Sequence, residues 1–382
     1  WRGRVCRGEV MIYLDSAATS LIKPACVERA VVTAMRSMAS PGRGGHRPAL
    51  LAAETVYNCR EAAAELFNVD DSTNVVFTMN ATHALNIAIS SLAGRGGRVV
   101  ISGFEHNSVT RPLAALGADV RIAGTRLFDR DAVLNDFEDK LKGASLAVCT
   151  HVSNVFGFVL PVYEIGALCR KYSVPFIVDA SQSAGVLDVD IARLGAAFVA
   201  MPGHKALFGP QGTGLLLCAA EAAPLMHGGT GSDSIMQAMP DYLPDRLEAG
   251  THNVCGIAGL AAGLGFIKEK GRENILAHER RLMRVMRREI QGIGGLERFA
   301  GDGETQCGVI SVRAACLNCE EFAARLAQRG ICVRAGLHCA PTAHRSAGTL
   351  DTGTVRFSFS PFITEAQVKM TADIIKQILN DD

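Results

Sequence analysis

No apolar stretch in the 382-residue sequence is long enough to cross a bilayer, so no membrane-spanning helix is expected. Charge of one sign is missing as well. The 39 basic residues meet 38 acidic ones, for a formal net charge of +1, which leaves no electrostatic footprint for nucleic acid or an anionic membrane. Trp1 to Val10 holds three arginines but no apolar core, unlike a secretory leader, and reads as an extension ahead of Met11. A cytoplasmic location is therefore expected. The sequence also lacks a disulfide framework. Such frameworks are short and cysteine-dense, whereas these twelve cysteines are scattered singly and read mostly as small buried hydrophobes. Cys316 and Cys319 form one close pair. No second pair or ligand-spaced histidines follow, so no metal site is expected.

Lysine is scarce: nine of the 39 basic residues. Eight lie in polar, helix-like or loop-like stretches. The ninth, Lys205, lies between the strand-like run Ala196–Ala200 and a glycine-rich turn, in Met201-Pro202-Gly203-His204-Lys205. A lysine in apolar surroundings loses charge, and its neutral amine can form a Schiff base with a carbonyl. Pyridoxal phosphate chemistry needs such a lysine and an acid for the pyridine nitrogen. Asp179, at the end of Val174–Asp179, is a candidate for that acid.

Short β-branched runs alternate with amphipathic stretches over most of the length. The runs are Val75–Thr78, Arg98–Ile101, Leu146–Thr150 and Phe176–Val178, and helices are expected over Ala49–Phe67 and Val162–Tyr172. Continuous apolar runs fit a parallel sheet covered on both faces, with ligands beyond its carboxyl ends. The pattern shifts near Thr251. A long helix over about Gly256–Gln291 is expected, then strands at Val309–Val312 and Thr354–Phe359, with helices over Cys319–Arg329 and Thr364–Leu379. The expected fold class is α/β: a large unit, 11–250, with a mostly parallel sheet, then a connecting helix and small α+β unit, 251–382.

The expected strand ends carry chemistry. Val75 to Asn86 reads as strand, turn and helix, and a helix N-terminus with Thr82 beside it suits a phosphate, although taken alone a plain N-cap is the commoner reading of such a turn. His106 follows the Arg98–Ile101 run and can stack on a flat ring and handle protons. Asn154 follows the next run. Asp179 and Gln182 follow the one after, where Gln182 can donate to a ring oxygen. In the small unit, Arg334-Ala335-Gly336-Leu337-His338-Cys339-Ala340 places a cysteine between glycine and histidine, a setting for a nucleophile. His338 or Arg334 is expected to favour its thiolate. Arg356 can grip a carboxylate bidentately.

Together these motifs resemble the cysteine desulfurase family of class V aminotransferases, in the branch whose cysteine loop reads R-x-G-x-H-C-A. Tyr13–Thr19, Pro41–Arg47, Gly203–Lys205 and Arg246–Thr251 add to the resemblance, which spans nearly the whole chain. It implies a fold type I pyridoxal phosphate enzyme, a homodimer with sites at the subunit interface. It implies that Lys205 holds the cofactor, Asp179 pairs with its ring nitrogen, Gln182 with its phenolic oxygen, and His106 stacks on it. The phosphate falls to Thr82, His204 and the Ala81 position, with Thr251 reaching in from the other subunit. Asn154 and Arg356 bind the substrate carboxylate, His46 and Arg334 shape the pocket, and Cys339 attacks the sulfur of L-cysteine. The products are L-alanine and a persulfide destined for an acceptor protein or thiol. Selenocysteine lyase is the nearest variant, and an aminotransferase or β-lyase with an incidental Cys339 is the rival. Three positions depart from the family pattern. Pro202 stands where a hydroxyl residue is common, Ala81 where a second threonine is common, and His252 where a proline often follows Gly-Thr.

Overall fold

The structure, a computed structural model, describes residues 11–42 and 44–380. The expected extension, 1–10, lies outside the described residues. In chain order the strands are β1 (Ile12–Tyr13), β2 (Val75–Thr78), β3 (Arg98–Ser102), β4 (Asp119–Ala123), β5 (Leu146–Thr150), β6 (Phe176–Asp179), β7 (Phe198–Pro202), β8 (Gly214–Cys218), β9 (Leu296–Phe299), β10 (Val309–Ala314), β11 (Ile331–Cys332), β12 (Arg334–Gly336) and β13 (Thr354–Ser358). The helices are α1 (Ala25–Ser37), α2 (Arg47–Phe67), α3 (Ala81–Leu92), α4 (Asn107–Ala115), α5 (Arg130–Lys140), α6 (Val162–Lys171), α7 (Ile191–Leu194), α8 (Val254–Lys270), α9 (Arg272–Glu289), α10 (Cys319–Gln328), α11 (Pro341–Ser346) and α12 (Glu365–Asn380).

A seven-stranded sheet runs β2-β8-β7-β6-β5-β3-β4. The five strands from β7 to β4 are parallel, and β8 lies antiparallel between β2 and β7. Every residue of β5, β6 and β7 is buried, because both faces are covered. Alternate residues feed opposite cores: Val100 and Val178 pack with Phe67 and Phe156 on one face, while Val99, Ile101 and Ile177 pack with Ile87 and Phe198 on the other. This period of two is what a strand buried on both faces requires. The expected α/β class with a mostly parallel sheet is what the chain forms.

The second sheet, β12-β13-β10-β9, is antiparallel. Its own core gathers Leu282, Met286, Phe322, Phe357 and Ile375. Ile12 and Leu14 belong to this core, and β1 pairs in parallel with β11. The described chain thus starts beside the smaller sheet.

The long helix expected over 256–291 is two helices. Gly271 breaks it with φ of 78°, a left-handed conformation suited to glycine. The break lets α8 bury Ile257, Leu260 and Leu264 against the large sheet, while α9 buries Leu282, Val285 and Met286 in the smaller core. Strands β4, β8, β9, β11 and β12 are additions that the sequence reading does not mark.

Candidate active site

The carboxyl ends of β2, β3, β5, β6 and β7 meet at one edge of the large sheet, because these strands run in the same direction. Each end turns sharply, and the turns carry the polar side chains. After β2, Asn80 caps α3 by accepting from the His83 N–H at 2.9 Å, which leaves Ala81 and Thr82 on the first turn, at the positive end of the helix dipole. After β7, Gly203 precedes the lysine turn. A Cβ there would collide with the Thr213 hydroxyl, so the close turn depends on glycine.

A cleft of about 220 Å³ opens at this edge. Eight expected site residues line it: Ala81, Thr82, His106, Asn154, Asp179, Gln182, His204 and Lys205. Lys205 reaches the cleft with protein packed round its ammonium, and burial pulls its pKa down from 10.5 to about 8. Asp179 opposes that shift, and Arg356 adds to it. Asp179 is 3% exposed and accepts from the Ser181 N–H at 2.9 Å, which fixes its carboxylate. Gln182 donates to the Ala17 carbonyl at 2.9 Å.

His106 caps α4. Its Nδ1 accepts from the Ser108 N–H at 3.1 Å and lies 2.9 Å from the Ser108 hydroxyl, so the ring proton sits on Nε2. The Ser108 hydroxyl is 2.7 Å from that of Thr82. This continuous chain fixes Thr82 and His106 relative to each other. Burial and the Lys205 ammonium hold the imidazole below its ordinary pKa. His204 is likewise neutral, pushed down to about 4 by burial, with Nδ1 3.0 Å from the Thr19 hydroxyl. Pro202 lines the cleft beside it.

Five expected residues do not line this cleft. Cys339 is exposed on the loop before α11, and both it and His338 have positive φ, 54° and 51°. The loop is nonetheless tied to the cleft from two sides. The Asn154 amide donates to the His338 carbonyl at 2.8 Å, and the Asn107 N–H donates to the Cys339 carbonyl at 2.7 Å. His338 cannot favour a thiolate as expected. It is buried, contacts the His344 ring and the Arg334 carbonyl, and burial drives its pKa to about 2, so it is uncharged. Arg334 stays charged: its pKa is raised, first by Asp15 and more weakly by Tyr13 and Cys339.

Arg356 is 2% exposed. It donates to Asp15 at 2.7 Å and to the Asn154 carbonyl at 2.9 Å, and its Nε–H is buried without a partner. Arg334 donates to the same Asp15 carboxylate at 2.8 Å. Thr251 lines a separate hollow with Thr78, Met79 and His83. Nearby Glu248 is buried, bound by both Arg60 nitrogens at 2.8 and 2.9 Å and 2.6 Å from His252. His46 is exposed and caps α2.

Sequence reasoning misses four residues here. Asp15, within the Tyr13–Thr19 motif, holds both arginines. Ser108 joins Thr82 to His106. Glu105, fully buried, accepts from the Thr150 N–H at 2.7 Å and from Ser102, keeps one oxygen unpartnered, and is pushed up to about 8 by burial. Lys23, lowered to about 8 by burial, donates to the Ser20 hydroxyl at 2.8 Å, and that hydroxyl donates to the His204 carbonyl. The adjacency of Glu105 to His106 was the one local signal available for it.

A mostly parallel α/β sheet with a depressed-pKa lysine at a strand end, facing a buried aspartate, defines the architecture of a fold type I pyridoxal phosphate enzyme. The chain belongs to the aminotransferase class-V family, whose profile matches residues 12–370. A probable cysteine desulfurase from Methanothermobacter thermautotrophicus is 33% identical over 96% of this chain and 94% of that protein. Another, from Pyrococcus abyssi, is 32% identical over 97% and 94%. The apo structure of a cysteine desulfurase from Thermococcus onnurineus superposes with a TM-score of 0.89 at 29% identity, covering 97% of this chain and 95% of that one.

Proposed function

We propose that this chain is a cysteine desulfurase that converts L-cysteine to L-alanine and passes the sulfur through Cys339 to an acceptor. The observation that carries the reading is the double tether: the loop bearing an exposed cysteine is fastened, at Asn154 and Asn107, to the cleft that contains Lys205.

The residues present fit pyridoxal phosphate. The phosphate suits the first-turn N–H groups of Ala81 and Thr82, the Thr82 hydroxyl and His204. Thr82 and His204 keep this cup polar although Pro202 and Ala81 bring no hydroxyl. When bound, the cofactor supplies an electron sink that makes the substrate's carbon-bound protons removable. Lys205, partly neutral near pH 7, would hold the cofactor through its carbonyl carbon and serve as the amine that moves protons. Asp179 would pair with the ring nitrogen, Gln182 with the phenolic oxygen, and His106 would stack on the ring.

Asn154 and Arg356 take the substrate carboxylate, where the unpartnered Nε–H of Arg356 is a donor already held in place. Arg334 supplies positive charge beside Cys339, and its thiolate attacks the substrate sulfur. His46 and Thr251 act in a homodimer, with Thr251 of a second copy completing the phosphate cup. The change from the large sheet to the smaller one supports a division into 11–250 and 251–382, with α8 packed on the large sheet as the connecting helix and β1 lying beside the smaller core. Eleven free cysteines among the described residues suit a reducing cytoplasm. An acceptor protein or thiol takes the persulfide, and L-selenocysteine fits the same groups.

The test is incubation of the purified, cofactor-loaded protein with L-cysteine, and in parallel with L-selenocysteine, with and without a reductant. Alanine and a persulfide on Cys339 are expected. Pyruvate and ammonia would replace this reading with a β-lyase.

A further inference from the structure

Lys205 separates two spaces. On one side is the cleft just described. On the other is a smaller cavity between the cores of the two sheets, where Ser20, Gln182, Glu279, Cys307 and Ser358 also contribute to the wall. About 40 Å³ of it is open to water, and one water needs roughly 10–15 Å³, so a short file of water fits. The serine hydroxyls and Gln182 give such waters their partners.

Glu279, on α9, is 7% exposed and lines this cavity. Its carboxyl accepts no hydrogen bond and pairs with no cation among the described residues. The next residue, Arg280, turns its guanidinium away to the Gln306 and Glu304 carbonyls. The other titratable groups on the wall are Lys205 and Cys307. A buried carboxyl with no compensating charge keeps its proton. Burial accordingly pushes Glu279 up to about 8 and Cys307 up to about 12, while Lys205 is pulled down to about 8. Burial thus moves the two groups toward each other, the Glu279 carboxyl up and the Lys205 amine down, around one water-sized cavity.

The reaction proposed above gives this pair a task. Cysteine, the Cys339 thiolate and one proton become alanine and Cys339–S–SH. The S–S bond forms and the Cβ–S bond breaks. Sulfur loses two electrons and Cβ gains them as a lone pair that must be protonated. Alanine therefore carries one more carbon-bound hydrogen than cysteine, and each turnover needs a proton delivered from inside the site.

We propose that Glu279 is a positioning residue for that proton, a carboxylic acid that recharges Lys205 through the cavity water from the side away from the substrate. The proposal rests on the desulfurase reading and on the role given there to Lys205.

Three measurements test it. In the apo protein near pH 7, infrared spectroscopy should show protonated-carboxyl C=O stretches, with Glu105 contributing one. Glu279→Gln should remove one band and leave the other. In the loaded enzyme, Glu279→Gln should lower kcat with L-cysteine at least about tenfold, with KM and bound cofactor unchanged. The alkaline limb of the kcat profile near pH 8 should flatten, and Glu279→Asp should recover part of the rate. A structural role would instead shift cofactor loading and KM. Exchange of the Cα hydrogen of L-alanine for deuterium in D2O should slow to a similar degree, which probes the relay without any sulfur step. An unchanged infrared spectrum, or parental kcat and exchange rates in Glu279→Gln, would overturn the relay. Slowed exchange in a protein whose parent makes no alanine from L-cysteine would keep the relay and overturn the desulfurase reading.

Discussion

The cleft around Lys205 and the loop around Cys339 are held by different means. The cleft hangs from five strand ends of one sheet, and its aspartate is 3% exposed. The loop connects β12 and β13 of the smaller sheet, carries an exposed cysteine in a left-handed backbone conformation, and is fastened to the cleft by two hydrogen bonds to its carbonyls. Rigid placement suits a group that must hold a ring and a proton. Exposure and light tethering suit the part proposed for Cys339, which meets a bound substrate and then an acceptor protein or thiol.

The sharpest break in that comparison is Lys205→Ala. Covalent cofactor capture should disappear, and turnover should fall by roughly 10²–10⁴ or more, as loss of a proton-transferring group implies. Borohydride reduction followed by peptide mapping checks it. A fixed adduct on Lys23, the other lysine with a pKa near 8, would show that the cleft does not depend on one amine. Next, Cys339→Ser should keep cofactor and substrate binding. Alanine release from L-cysteine should fall at least about a hundredfold, because a hydroxyl lacks the nucleophilicity of a thiolate. Release at the parental rate would show that the loop is incidental.

A smaller effect is expected from pH. Burial lowers the Lys205 pKa from 10.5 to about 8, so the reactive neutral amine grows as pH rises and levels off above that value. The rate of cofactor capture by the apo protein, followed by absorbance, should rise about tenfold from pH 7 to 9. A rise that continues to pH 10 would mean that the amine is not buried as described. The mildest change is Asn154→Ala, which removes one loop tether. A hydrogen bond of this kind contributes about 0.5–1.5 kcal/mol, so alkylation of Cys339 should quicken a few-fold. No change in the labelling rate would leave the Asn107 contact as the tether that matters.

The same contrast explains what the sequence discloses. β5 is read with its observed bounds because a strand covered on both faces is a bare apolar run. Once the runs are placed in one sheet, topology alone sends His106, Asn154, Asp179 and Lys205 to the same edge. β4 is missed because its edge position leaves the polar Asp119 and Arg121 outside the core. Gly271 is missed because both flanking stretches are helical and only tertiary packing separates their partners. The protonation states of His338 and Glu279 follow from burial that no local pattern encodes, since each neighbourhood looks polar in one dimension. The Asp15–Arg356 pair joins residues 341 positions apart, and nothing near either residue marks the other.

That separation also has a consequence for biosynthesis. A ribosome makes about 5–20 residues each second and domains fold as they emerge, so the large sheet can collapse around its own helices while Arg356 is still untranslated. Contacts of such long range are slow to form and come late. The two arginines are brought onto Asp15 only after nearly all of the described chain has been made. A nascent chain stalled before β13 should therefore have a lysine able to capture cofactor and no finished grip for a substrate. The order of synthesis itself would separate the loading of the enzyme from its first turnover.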